Sequence, residues 1–193
     1  MRGLVEAVEQ AGVARAAFLR PARIELARLD APEGRIPSSD IFRLAELALA
    51  LTGDPALGLH WAERLSERTF VPISHLLAHS SRLRQSFELL AQFFPLLCDQ
   101  PVYQVFETEE KVTIRCLPFH GQSLQVRMFS AEMMVAGFWR LVRSFSPHAP
   151  PERASFEYSA PYHRSEYARI FGGAARFEEP FTGLVFDRAL MNA

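Results

Sequence analysis

The hydrophobic positions between Gln125 and Phe145 recur at the spacing of an α-helix. At about 100° per residue, a single apolar stripe collects Ala131, Met134, Val135, Phe138, Leu141, Val142 and Phe145. The opposite side carries two aromatic and three charged side chains: Phe129, Trp139, Glu132, Arg140 and Arg143. The pattern predicts the central helix of the domain, capped by Ser130 or by the polar run 121–123. We expect its second face to meet a pocket or a partner subunit.

Helical spacing also dominates the first hundred residues, which contain no convincing strand. The apolar positions predict short helices at 4–10, 14–19, 24–29, 41–51, 55–64, 69–79 and 82–95. Gly12 ends the first of these helices and Pro21 interrupts the second. Ser38 or Ser39 is expected to cap the helix over 41–51, and Gly53 follows its end.

After Pro101 the pattern changes to the alternation that is typical of strands. Strands are predicted at 102–107, 111–117, 154–159, 175–177 and 183–186, with a helix over 161–171 that ends at Gly172. We therefore predict an α+β fold, in which an N-terminal helical run precedes a mixed or antiparallel sheet packed against the long central helix.

Composition narrows the class of protein without naming it. The 193 residues carry a formal net charge of −1 and a pI near 6.6, so no global charge attracts nucleic acid or an anionic membrane. Two cysteines make no disulfide framework and favour a reducing cytoplasm. No signal peptide is recognisable, and no apolar run approaches the ~20 residues of a membrane span. Sixteen phenylalanines indicate either an aromatic core or a cavity for an apolar ligand.

Motifs for catalysis and metal binding are weak. His75 and His79 stand four residues apart, as in some metal sites, but a third ligand is not evident and a helix-surface role is favoured. Cys98 and Cys116 lack CxxC spacing and are interpreted as small core residues. No nucleophile elbow, phosphate loop or dinucleotide fingerprint occurs in the sequence. We therefore predict no catalytic residues, no metal and no cofactor.

A set of aromatic and basic residues in the second half is the best candidate for a binding site. Ligand pockets have mostly apolar walls with a few placed polar groups, and an arginine among aromatics suits a carboxylate. The candidate ligand-binding residues are His120, Arg127, Phe129, Trp139, Arg140, Phe156, Tyr158, Tyr162 and Tyr167. The alternative is that the aromatics are core residues and the arginines surface residues.

Three stretches carry a resemblance to a known family. They are RIPSSDIFRLAELALALTGDPALGL, SSRLRQSFELLAQFF and ASFEYSAPYHRSEYARIFGGAARFEEPFTGLVFDRALM. In this order they resemble the N-terminal domain of AraC/XylS-type bacterial regulators, in the arabinose-binding-like subgroup. The motifs Gly53-Asp54-Pro55…Gly58-Leu59 and Tyr167…Phe171-Gly172…Phe177 carry the likeness best, and it spans nearly the whole chain.

The resemblance implies one effector-sensing and dimerisation domain over residues 1–193, mainly helical over 1–100 and α/β over 101–193. It further implies a small-molecule effector, a homodimer, a cytoplasmic location and no enzymatic activity. In that family two helix-turn-helix motifs follow and bind DNA; this chain lacks them. The subgroup's name does not identify the effector. The alternative hypothesis is a constitutive dimerisation module, with the aromatic face of the central helix as its interface.

Overall fold

The N-terminal part of the protein is helical, as predicted. A computed structural model describes residues 2–22, 37–65, 83–93, 102–118, 121–145 and 150–191. The first helices are α1 (Arg2–Gln10), α2 (Arg15–Ala22), α3 (Ser38–Thr52), α4 (Leu57–Arg64) and α5 (Leu83–Phe93). The helices predicted at 24–29 and 69–79 lie outside the described residues.

The second part contains the sheet and the central helix. Its elements are β1 (Tyr103–Glu107), β2 (Lys111–Cys116), α6 (Leu124–Phe145), β3 (Arg153–Ser155), α7 (Arg164–Phe171), β4 (Ala175–Arg176), β5 (Gly183–Asp187) and α8 (Arg188–Met191). The strand order is β1-β2-β5-β3-β4. Only the β3–β4 pair is parallel among the described strands. The predicted α+β class, with a mixed sheet and a long helix packed on it, is confirmed.

The structure corrects two predictions about helix boundaries, and it decides between the two alternatives for the start of α6. Pro21 lies inside the last turn of α2, so the helix extends past it by one residue, although proline has no N–H to donate to the carbonyl one turn earlier. Neither Ser38 nor Ser39 caps α3, because Pro37 occupies the cap position and no side chain bonds there. For α6, the polar run is the right start: the Ser123 hydroxyl accepts a hydrogen bond from Val126 N–H at 3.4 Å. Ser130 lies buried within the helix.

The strand predicted over 154–159 is shorter in the structure. Pairing with β5 ends where Ser155 meets Gly183. Beyond that point, the N–H of Phe156 donates to the carbonyl of Arg176 and the N–H of Glu157 to the Thr182 hydroxyl. The backbone leaves the ladder with β5 at Phe156 because its next donors are directed to these other acceptors.

The core has two parts that meet at α4 and α6. The N-terminal helices enclose one cluster, which includes Leu4, Phe18, Leu44, Trp61 and Phe129. The sheet, α5, α6 and α7 enclose the other, which includes Ile114, Val135, Phe156, Phe171 and Leu184. Leu65 and Met133 pack against both clusters. The two parts of the described chain are therefore joined by continuous packing through α4 and α6.

The part of the second face of α6 that carries Phe129, Glu132 and Trp139 is covered by helices of the same chain. Phe129 stacks on Trp61 of α4 with ring centroids 5.6 Å apart, and Trp139 packs edge-on against Phe171 of α7 at 5.2 Å. Glu132 lies between them and is 1% exposed. The hypothesis that this aromatic face is an interface with a partner subunit is therefore wrong. Among its charged residues, Glu132 is a buried hydrogen-bonded acid, whereas Arg140 and Arg143 are exposed.

No helix within the described ranges has both the length and the apolar character that a membrane crossing requires.

Candidate functional site

A pocket of about 270 Å³ lies between the first half of α6 and one end of the sheet. From α6 its walls take Leu124, Arg127, Ser130, Ala131 and Met134. The end of β2 and the segment after it supply Cys116, Leu117 and Pro118. The remaining walls are Glu157, Tyr158 and Thr182. Because these residues come from four parts of the sequence, the pocket exists only once the sheet has formed.

The pocket has a buried floor and a charged rim. Its buried members are Cys116, Ser130, Met134 and Thr182. Its exposed members are Pro118, Leu124, Arg127 and Glu157. Burial raises the pKa of the Cys116 thiol to about 12, so this group is a neutral, weakly polar part of the floor at physiological pH. This burial does not favour a low-pKa nucleophilic thiolate at Cys116.

The helical contribution to the pocket follows the period of α6. Leu124, Arg127, Ala131 and Met134 are separated by three, four and three residues, which places them along one face of the helix. Sequence reasoning placed Ala131 and Met134 on a core stripe and did not extend that stripe back to Leu124. The helical spacing from Leu124 to Met134 would have been sufficient to include Leu124 and Arg127 on the same face. By contrast, Cys116, Glu157 and Thr182 could be placed in the pocket only from the order of the strands in the sheet.

A chain of buried hydrogen bonds leads from the pocket wall to the middle of α6. The Tyr167 hydroxyl donates to Glu132 Oε1 at 2.5 Å, and the Tyr158 and Tyr167 hydroxyls are 3.0 Å apart. Because the Tyr167 proton is directed at Glu132, Tyr158 is the donor in the second bond. His163 Nε2 approaches the same Glu132 oxygen at 2.8 Å. Tyr158, which lines the pocket, is thus connected to the centre of the domain.

Glu132 is a buried acid whose environment favours its neutral form. Burial raises the pKa of Glu132, while the hydrogen bonds from His163 and Tyr167 act in the opposite direction. Burial likewise raises the pKa of Tyr167 and of Tyr158, so both phenols stay protonated and serve as donors. The second oxygen of Glu132 and Nδ1 of His163 are buried without a hydrogen-bond partner. This network is internal to the fold and does not open into the pocket except through Tyr158.

Helix α4 crosses α6 at Glu132, and Gly58 makes the crossing possible. A Cβ atom at Gly58 would lie 2.8 Å from Cβ of Glu132 and closer still to the backbone carbonyl oxygen of Phe129. Real Cβ atoms essentially never come closer than 3.0 Å to another heavy atom. The glycine is therefore required by the close approach of two helix backbones, and it locks the helical part onto the central helix.

The sequence profile of the arabinose-binding domain of AraC transcription regulators, N-terminal, matches residues 12–193. The chain belongs to this family. Within this AraC-type sensor domain, the two motifs that carried the resemblance meet in space: Gly58 belongs to the first motif and Tyr167 to the second, and both contact Glu132.

A curated protein is similar in sequence to this chain over most of the chain's length. The ornithine utilization regulator of Pseudomonas aeruginosa strain PAO1 is 28% identical over 183 residues, which are 92% of this chain and 52% of that protein. The chain thus spans about half the length of the curated relative that it matches.

The segments around these two motifs of the AraC-type domain are also joined by hydrogen bonds and ion pairs near the surface. His60 Nδ1 lies 2.6 Å from Asp54 and its Nε2 lies 3.2 Å from Glu166. Arg169 binds Glu63 with two hydrogen bonds of 2.6 and 2.7 Å and also contacts Glu166 at 2.7 Å. The hydrogen bonds with Arg169 hold the pKa values of Glu63 and Glu166 below their usual range. Together these residues connect the α4 region to α7.

We expect the contribution of His60 to stability to disappear as the pH rises above neutrality. Burial alone would lower the pKa of His60, but the hydrogen bonds and charges of Asp54 and Glu166 outweigh burial and raise it above 6.5. A raised folded-state pKa stabilises the protein below the unfolded pKa, and this stabilisation is lost as pH passes through the folded pKa.

Urea unfolding of the wild type and His60→Gln at pH 6 and pH 8.5 tests this expectation. The wild type should exceed the variant in unfolding free energy at pH 6 and lose much of that advantage at pH 8.5. The lowered pKa values of Glu63 and Glu166 and the raised pKa of Arg169 keep these three neighbouring groups charged at both pH values. An unchanged difference at the two pH values would contradict the expectation.

The structure separates the candidate ligand-binding residues into three groups. Arg127 and Tyr158 line the pocket. Four of the aromatics are buried outside it, namely Phe129, Trp139, Phe156 and Tyr167. Arg140 and Tyr162 are exposed away from it, Tyr162 with 85% of its surface accessible.

Some residues singled out in the sequence lie outside the described part of the chain. They are His120, His75, His79 and Cys98. Across the described ranges, no three His, Cys, Asp or Glu residues are grouped so as to hold a metal ion.

Proposed function

We propose that this domain binds a small organic effector in the pocket between α6 and the sheet, and so controls an attached DNA-binding domain. The observation that carries the proposal is the pocket itself, with its buried, mostly neutral floor and charged rim in a domain of the AraC sensor family. Binding pockets combine apolar walls with a few polar groups that orient the ligand, and this pocket has that composition.

The volume of the pocket limits the size of the effector. Pockets for drug-sized ligands occupy about 300–1,000 Å³. At about 270 Å³, this pocket suits a metabolite and is too small for a long-chain lipid or an oligosaccharide. The relative in Pseudomonas aeruginosa is an ornithine utilization regulator, and ornithine is therefore one compound to test.

An effector acts only if it binds two arrangements of the domain with different affinity. The pocket offers two ways to achieve such a difference. Five of its residues lie on α6, which packs directly against α4 of the helical part. Tyr158 is linked through Tyr167 to Glu132, at the crossing of these two helices. Movement of Tyr158 or of the start of α6 on binding would therefore reach the helical part.

The family suggests the cellular location of the protein and how it reaches DNA. AraC-type regulators are transcription factors, so we infer a cytoplasmic bacterial regulator that reaches DNA through a domain beyond this chain. A homodimer remains a prediction. Because Phe129 and Trp139 are covered from within the chain, a dimer would use another surface.

We expect Ala131→Phe to abolish effector binding, because its ring would fill the pocket from the α6 side. The first experiment is a thermal-shift screen with amino acids, other carboxylates, sugars and fatty acids. At about 100 times Kd a ligand adds about 2.7 kcal/mol of stability, which raises Tm by several degrees in a domain of this size. Ala131→Phe should lose that shift.

Ser144→Phe is the matched control, since it places the same ring on an exposed position near the other end of α6. It should keep the shift. A screen in which no compound raises Tm, or in which Ala131→Phe responds like the wild type, would refute effector binding at this pocket.

A further inference from the structure

Two opposite charges stand at the rim of the pocket without strong partners of their own. Arg127 on α6 forms no ion pair with any residue in the described part of the chain. The carboxylate of Glu157 accepts only a long hydrogen bond, 3.5 Å, from the Thr182 hydroxyl. Elsewhere on the surface, arginines such as Arg169 pair closely with an acid, here Glu63. Arg127 and Glu157 therefore remain available to a ligand.

The floor below these two residues carries no formal charge at neutral pH. Cys116 is a neutral thiol and Met134 is apolar, and both are buried. Ser130 adds a buried hydroxyl. Among the described walls, the formal charges are one guanidinium and one carboxylate, and both stand at the rim. The complementary ligand has one anionic and one cationic group at the same end, and an uncharged or extended remainder that reaches the floor.

From this arrangement we infer that the pocket recognises an α-amino acid. Its α-carboxylate pairs with Arg127, which presents the planar donors that suit a carboxylate. Its α-ammonium pairs with Glu157, and its side chain lies on the floor formed by Cys116 and Met134. The inference rests on the effector-binding function proposed above and assigns that effector to a chemical class.

Ornithine and its three single-group analogues test the inference by isothermal titration calorimetry on the whole chain. Putrescine lacks the carboxylate, 5-aminopentanoate lacks the α-ammonium, and norvaline lacks only the side-chain ammonium. Putrescine and 5-aminopentanoate should bind at least tenfold more weakly than ornithine, because each leaves one rim charge without a partner. Norvaline keeps the complete head group and its uncharged side chain suits the floor, so it should bind at least as tightly as ornithine.

Variants at the rim test whether the α-carboxylate of the ligand pairs with Arg127 and its α-ammonium with Glu157. Arg127→Met should weaken ornithine binding at least tenfold and leave putrescine binding unchanged. Glu157→Gln should weaken ornithine at least tenfold and leave 5-aminopentanoate unchanged. Both side chains are exposed, so neither variant is expected to disturb folding. Arg143→Met and Glu109→Gln remove the same charges from exposed positions outside the pocket and should bind ornithine like the wild type.

The outcomes separate this inference from the proposed function. If a sugar, a fatty acid or a simple carboxylate binds and Ala131→Phe abolishes that binding, while no α-amino acid binds, the pocket function stands and the inference is wrong. Equal affinity for ornithine and putrescine, or insensitivity of ornithine to both rim variants, would also overturn it. Failure of every compound to bind would overturn the proposed function instead.

Discussion

Gly58→Ala is expected to cost the domain about 3 kcal/mol of unfolding free energy or more. The added methyl group would collide with the carbonyl oxygen of Phe129 and with Cβ of Glu132. Neither atom is the end of a flexible side chain, so α4 and α6 would have to move apart. Overpacking typically costs about 1–3 kcal/mol, and a collision with backbone belongs at or above the upper end. The gain in helix propensity from glycine to alanine, about 1 kcal/mol, offsets only part of this cost.

Gly137→Ala is the control for this experiment. Gly137 lies inside α6, and a Cβ atom there would meet only the end of the Leu65 side chain, at 3.2 Å. We expect this variant to be neutral or slightly stabilised, because it gains helix propensity without a backbone collision. Thermal and urea unfolding of both variants would measure the difference. Equal stability of Gly58→Ala and the wild type would show that the helices do not cross as closely as described.

Glu132→Ala is expected to destabilise the domain by about 3–5 kcal/mol, because each buried donor left without an acceptor costs about 1–3 kcal/mol and the lost side-chain volume adds to this. The substitution leaves the Tyr167 hydroxyl and His163 Nε2 without an acceptor. It also leaves a cavity beside Gly58 that the crossing helices are too close-packed to fill by a small shift. Both effects act in the same direction.

Glu132→Gln should be less damaging, at about 1–3 kcal/mol. Its amide oxygen still accepts from Tyr167 and His163, but its NH2 group takes the place of a buried oxygen that has no partner. Glu46→Ala, at an exposed position on α3, is the surface control and should stay within about 0.5 kcal/mol of the wild type. If Glu132→Gln lost as much unfolding free energy as Glu132→Ala, the role of Glu132 as a hydrogen-bond acceptor would be contradicted.

Much of the local structure was readable along the chain because it depends on neighbours in sequence. The 3.6-residue period predicted α6 to within one residue of its start, and alternation predicted β1, β2 and β5 with similar precision. Gly53 and Gly172 end their helices in the left-handed conformation that glycine adopts without strain. The motifs around Gly58 and Tyr167 were sufficient to indicate the AraC sensor family, which the profile match confirmed.

The pocket and the buried acid depended on contacts between distant parts of the chain. Glu132 has the same local sequence signature as a surface glutamate, and only the crossing of α4 and the approach of His163 and Tyr167 make it an internal residue. Phe129 and Trp139 were assigned to a ligand or a partner because nothing near them in sequence shows that α4 and α7 cover them. Glu157 and Arg127 are thirty residues apart in sequence and share a rim because β3 pairs with β5 beside β2. Periodicity reports which face of an element is buried, but the order of strands and the crossing of helices decide what that face meets.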